Sequence, residues 1–233
     1  MTDAQATDLR PPAGLSVVLG GKGGLGQALG RRGTPALDYT RPESVAACAD
    51  HVAQRLEQDG RPLVRLIVAT GVLHGHLPDG RAYGPERSWQ QIDPDALAHV
   101  MQVNAIGPAL VMRHFLPLLP RRGRVVAAFV SARVGSIGDN ALGGWYAYRA
   151  SKAALNQLVH TAAIELARRN REALCVALHP GTVDTPLSRP FARQGLNVRP
   201  PDVAAAELLA VLDSLPAGSS GRFFDQNGLP VPW

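Results

Sequence analysis

The chain has 233 residues, 45% of them apolar, and a formal net charge of +5, which is enough for one domain with a sizeable core. It has no apolar run of the ~18 residues that a membrane span needs, no signal-peptide pattern in the polar stretch 1–14, and only two cysteines, Cys48 and Cys175, so a reduced, cytoplasmic protein without a membrane partner is expected. The basic residues come as scattered pairs such as Arg121-Arg122 and Arg168-Arg169, with no long basic run interleaved with aromatics, so no nucleic-acid partner is expected either.

Residues 1–14 read as a flexible lead into a single domain that spans 1–233. Short apolar runs then alternate with longer helical stretches. LSVVLGG (15–21) reads as a buried strand that ends in glycine. The following GGKGGLG (20–26) spaces Gly20, Gly24 and Gly26 as GxxxGxG, with Leu25 between the last two and Lys22 inside the turn. After a strand and before a helix, such a turn lets the backbone approach a pyrophosphate and offers it free N–H groups. The same pattern also serves as a tight structural turn.

The spacing predicts a helix over 42–60, closed by Gly60, and a strand over 63–71. A long helix follows over 93–119, with Asp93 as N-cap and Pro94 at its first position. A strand is predicted over 124–132, a helix over 145–169 and a strand over 173–181. The last helix lies within 200–215 and a short closing strand within 221–228. Alternating strands and helices predict an α/β fold, a doubly wound, mostly parallel sheet covered on both faces. Ligands bind such sheets at the carboxyl ends of the strands. Gly20 to Gly26, Thr70-Gly71, Ser131 and Pro180-Gly181 all fall there.

In WYAYRASKAALNQL (145–158), Tyr148 and Lys152 stand four residues apart, on one helix face. A free phenol titrates near pH 10, and a neighbouring ammonium lowers that value. The pair is therefore either a proton donor with its tuner or an accident of helical spacing.

In order, GxxxGxG, YRASK and HPGTVDT resemble the short-chain dehydrogenase/reductase family over nearly the whole chain. SARVGSIGDN, GGWYAYRASKAALN and GRFFDQNGLPVPW resemble more narrowly its subgroup of C-signal proteins and Sniffer-type carbonyl reductases. The resemblance implies a Rossmann-like fold, a nicotinamide cofactor, and hydride transfer between that cofactor and a small carbonyl or alcohol substrate. It makes Tyr148 the general acid/base and Lys152 its tuner and holder of the ribose hydroxyls. Asn104 becomes the support of a proton-relay water, or else a polar kink beside Gly107-Pro108. Tyr146 does not qualify, because Ala150 stands four residues on.

The family's serine stands three residues before a glycine, where this chain has Ala132 before Gly135. Ser131 is favoured for the role, re-aimed by a bulge, with Ser136 as the alternative. Gly71, in VATGVLHG, would shape the adenosine side. In PGTVDT, the segment of Pro180, Gly181, Thr182, Val183 and Thr185 would hold the nicotinamide end. Residues 186–199 would then be a mobile lid.

The chain departs from the family between Gly26 and LDYTRPESV (37–45). The latter reads as the third-strand region, with Asp38 approaching the adenine. The second-strand region is shortened, so the sheet has fewer strands or 30–38 doubles as one. Lys22, Arg31 and Arg32 favour NADP(H), with NAD(H) as the alternative. His74 and His76 lack partners for a metal set, so no metal is expected. His179 reads as a packed core histidine. Family members pair through long helices, which implies a homodimer or homotetramer. The alternative to an enzyme is a non-catalytic nucleotide-binding or signalling protein on the same fold.

Overall fold

A computed structural model describes residues 13–21, 23–29, 37–191 and 197–233. β1 (Leu15–Leu19) leads into α1 (Gly24–Leu29), then α2 (Pro42–Asp59) and β2 (Leu63–Val68). A two-strand ribbon, β3 (Gly75–His76) and β4 (Ala82–Tyr83), precedes α3 (Pro94–Met101) and α4 (Gly107–Phe115). β5 (Val125–Val130), α5 (Tyr146–Arg169) and β6 (Ala173–Leu178) form the centre. β7 (Thr182–Val183), β8 (Val198–Arg199), α6 (Pro201–Ser214) and β9 (Phe223–Phe224) complete the chain.

Five strands make one parallel sheet in the order β1-β2-β5-β6-β9. The period-two alternation of β5 and β6 splits their side chains between two cores. Val125, Ala127, Phe129, Cys175 and Ala177 pack under α2, α4 and α5. Val126, Ala128, Leu174, Val176 and Leu178 pack under α1 and α6. Every residue of β6 is buried, as expected of a parallel strand covered on both faces. The fold is Rossmann-like.

The strand order also corrects one expectation. Among the described residues, β1 is an edge and no strand lies beyond it. Residues 37–45 are not a third strand. Asp38 instead knits a turn: its carboxylate accepts the Thr40 N–H at 3.0 Å and the Thr40 hydroxyl at 2.6 Å. Its carbonyl accepts the Ser44 hydroxyl at 2.7 Å, and α2 begins at Pro42. Local side-chain bonds of this kind compete with extended pairing. Next door, the Tyr39 ring lies on Gly107, where a Cβ would come within 2.3 Å of ring atoms. The Tyr39 hydroxyl pairs with Thr70 Oγ1 at 3.0 Å.

The helix expected over 93–119 starts as predicted, with Asp93 Oδ1 accepting the N–H groups of Asp95 and Ala96 at 2.9 Å. It runs on to Leu118, with a π turn, Gln102–Ile106, set into it between α3 and α4. Pro108 has no N–H to give to the preceding turn, and π turns absorb such mismatches.

Candidate active site

A cavity of about 680 Å³ opens at the carboxyl ends of β1, β2, β5 and β6. The glycine turn forms one wall through Gly24, Leu25 and Gly26. Only glycine fits there: a Cβ on Gly26 would stand 2.2 Å from Gly20 O. Gly20 itself, at φ +96°, makes the bend and abuts Ala69 rather than the cavity. Thr70 and Gly71 line the adjoining edge, and Pro180, Gly181, Thr182, Val183 and Thr185 the opposite side.

α5 contributes the chemistry. Tyr148, Lys152 and Asn156 follow each other at intervals of four, so one helix face carries all three toward the end of β5. Tyr148 and Lys152 both line the cavity and both are buried. The Lys152 ammonium lies 5.8 Å from the centre of the Tyr148 ring and donates to Val130 O at 2.9 Å. Burial pushes the phenol above its ordinary range and pulls the ammonium down to about 8. The expected lowering of the tyrosine by the lysine is therefore reversed. Loss of hydration outweighs the neighbouring charge when both groups are this deep.

Ser131 lines the cavity and Ser136 does not. No bulge is needed to aim it. β5 and β6 pair without interruption to Val130, and the Ser131 N–H continues the ladder to Leu178 O at 2.7 Å. Its hydroxyl donates to Asn156 Oδ1 at 2.7 Å. Ser136 Oγ instead accepts the Asp139 N–H at 3.1 Å.

Asn104 is fully buried in the π turn and outside the cavity wall. It is a strut. Its amide exchanges bonds with Val72, at 2.8 and 2.9 Å, and donates to Ser151 Oγ at 3.0 Å. Asp38 is exposed and away from the wall. Lys22, Arg31 and Arg32 lie outside the described residues, as do 192–196 of the expected lid.

His179 is no core histidine. It lines the cavity, its Nδ1 is sealed without a hydrogen-bond partner, and burial lowers its pKa to about 4. Two further residues carry no signal in the sequence. Trp145 has the left-handed φ of 56°, a region that costs an L-residue ~1–2 kcal/mol. Glu86, a buried carboxylate 61 residues away, accepts the Ala147 N–H at the start of α5 at 3.3 Å. Its carbonyl takes the Trp145 N–H at 2.6 Å. Only the glycines before Trp145 hint at an irregular approach.

The profile of the short chain dehydrogenase family matches residues 31–195. A 1-hydroxy-2-glutathionyl-2-methyl-3-butene dehydrogenase of Rhodococcus is 32% identical over 85% of this chain and 79% of its own length. The chain belongs to the short-chain dehydrogenase family. C-signal of Myxococcus xanthus is 39% identical over 61% of this chain and 81% of its own length. Among solved structures, the NADPH-bound carbonyl reductase from chicken fatty liver has a TM-score of 0.71 and 27% identity. That match covers 85% of this chain and 72% of the reductase. The carbonyl reductase Sniffer of D. melanogaster shares the fold, with a TM-score of 0.74 at 19% identity over 93% of this chain and 98% of its own. The family match begins after the glycine turn, in keeping with the unusual stretch between β1 and α2.

Proposed function

We propose that this short-chain dehydrogenase is an NADP(H)-preferring reductase of small carbonyl compounds. The convergence of Tyr148, Lys152 and Ser131 on one cavity carries the reading. The residues fit the cofactor. Lys152 is a buried ammonium with three protons and one backbone acceptor in the protein, which leaves donors for ribose hydroxyls. The glycine turn gives phosphates a close backbone approach. Gly71 and the segment from Pro180 to Thr185, Val183 included, form the walls on either side. NADP(H) over NAD(H) is supported by the NADPH-bound relative and by the basic residues Lys22, Arg31 and Arg32.

The cofactor, when bound, supplies a hydride to the carbonyl carbon. Tyr148 gives its phenolic proton to the carbonyl oxygen, and solvent restores that proton. Burial holds the proton on the Tyr148 phenol, which suits the acid role in carbonyl reduction. Ser131, oriented by Asn156, stands in the cavity wall and turns its one proton from Asn156 to the substrate oxygen when the substrate binds. Asn104 acts at one remove, holding Val72 and Ser151 around Lys152.

Among the described residues no helix is long and apolar enough to cross a membrane. The buried free thiols Cys48 and Cys175 support a reducing, cytoplasmic setting. A groove of about 340 Å³ between α4 and α5, lined by Ala109, Met112, Leu158 and Ala162, supports pairing of two copies there. Sedimentation at micromolar concentration tests that pairing.

The first experiment is a thermal shift with NADP⁺ and NAD⁺. A ligand at 100 times its Kd stabilises by ~2.7 kcal/mol, and the larger shift is expected with NADP⁺. The Tyr148→Phe variant should keep that shift and lose about 100-fold or more in carbonyl turnover. A second reading, a nucleotide-binding or signalling protein with little turnover, is favoured by β1 standing at the sheet edge among the described residues and by the likeness to C-signal. A shift without turnover across a broad ketone panel would select it.

A further inference from the structure

The substrate end of the cavity is built around an unusual backbone position. Trp145 is the one non-glycine residue with positive φ among the described residues. A bulky side chain stays in that region only where its surroundings over-determine it. Here they do. Glu86 accepts the Trp145 N–H through its carbonyl and the Ala147 N–H through its carboxylate. Arg149 reaches back from α5 to Gly144 O at 2.9 Å, Gly143 O at 3.2 Å and Val134 O at 3.2 Å. These bonds fix the backbone on both sides of Trp145.

Trp145 stands beside the phenol. The indole meets the Tyr148 ring edge-on, with centres 6.2 Å apart. It meets Phe191 edge-on at 5.3 Å, and Phe191 meets His74 at 5.5 Å. His74 Nε2 bonds Pro186 O at 3.2 Å, tying this ring series to the segment after β7. Trp145, Tyr148 and Phe191 all line the cavity, with Leu73 and Leu187 beside them. Aromatic rings prefer such edge-to-face and offset partners.

The charges on this wall are already engaged. Arg133 pairs with Asp139 at 2.6 Å. Lys152 bonds Val130 O and, on the reading above, the ribose. Burial keeps His179 uncharged at neutral pH. Among the described wall residues, those on the ring side, Leu73, Trp145, Tyr148, Leu187 and Phe191, carry no charge.

We infer that Trp145, fixed by Glu86, selects the substrate, and that the substrate class is an uncharged aldehyde or ketone with a flat aromatic group beside its carbonyl. The inference rests on the carbonyl-reductase reading for the reaction, but ring recognition can be measured without it. Binding of acetophenone, cyclohexyl methyl ketone and phenylglyoxylate to the NADP⁺-loaded protein by calorimetry separates aromaticity from size and charge. The wild type should bind acetophenone about three- to tenfold more tightly than cyclohexyl methyl ketone, with phenylglyoxylate weakest.

Trp145→Gly removes the ring at a backbone position that suits glycine. It should cost about tenfold or more in acetophenone affinity and level the preference for the flat ring. Trp145→Asn, also tolerant of this conformation, should act alike if the glycine variant folds poorly. Trp145→Phe should retain most of the binding. Equal affinity for the three ketones, no binding of any, or unchanged acetophenone binding in the ringless variants would overturn the inference. Trp145-dependent binding of acetophenone with no reduction by NADPH would instead overturn the reductase reading and leave ring selection standing.

Discussion

The Ser131 hydroxyl donates to Asn156 Oδ1 across 2.7 Å, so the proton that a substrate oxygen would want is held by a residue two helical turns beyond Tyr148. The Asn156 amide is fixed in turn by its Nδ2 contact with Gly135 O at 3.4 Å. Asn156→Leu strands a buried hydroxyl, at a cost of ~1–3 kcal/mol. Turnover should fall in that variant while stabilisation by NADP⁺ is kept. Asn156→Asp, which keeps the acceptor, should recover much of the stability. Denaturant midpoints and steady-state rates on the two variants check this.

The glycine turn makes a sharper test of the cofactor site. A Cβ at Gly26 would meet Gly20 O at 2.2 Å, whereas one at Gly21 meets nothing within 4 Å. Gly26→Ala should lose ~1–3 kcal/mol through overpacking and most of the NADP⁺ thermal shift. Gly21→Ala should change neither, and thermal melts with and without NADP⁺ decide it.

Glu86 caps α5 from a distance. Removing a helix cap costs ~1–2 kcal/mol, and in a chain of this size each kcal/mol moves Tm by ~2–4 °C. Glu86→Ala should therefore melt several degrees lower. Glu86→Gln, which retains an acceptor, should melt closer to wild type.

His179 sets a stability profile on the acid side. Its pKa falls from 6.5 to about 4 on folding, so between those values the unfolded chain holds a proton that the folded one lacks. Stability then rises with pH across about 4 to 6.5 and is lost as pH falls through that window. The displacement corresponds to ~3 kcal/mol at most. His179→Gln should flatten the window, as read by urea midpoints at pH 4.5 and 7.

Much of this was legible in the sequence because it rests on local rules. The alternation of apolar runs and amphipathic stretches located the elements, the Asp93-Pro94 start of α3 included. The pair Tyr148 and Lys152 is a matter of helical spacing, and the glycines of the first turn are a matter of backbone reach. Ser131 over Ser136 was a closer reading, and the unbroken ladder between β5 and β6 supports it by bringing Ser131 to the cavity. The third-strand reading of 37–45 failed because Asp38 and Ser44 form a turn through side-chain bonds that no periodicity announces. His179 was misjudged because its position at a strand end resembles core packing until the cavity beside it is seen.

The sequence by itself determined the parallel α/β sheet, the helix that carries Tyr148, Lys152 and Asn156, and the family, since all three follow from short-range patterns along the chain. Only the tertiary structure decided the sign of the Tyr148 and Lys152 shifts, because desolvation depends on how many other segments close over a group. It also decided the roles of Glu86 and Trp145. A carboxylate that caps a helix 61 residues away, and an indole held in a left-handed backbone by that same residue, are relations across space that linear spacing does not record.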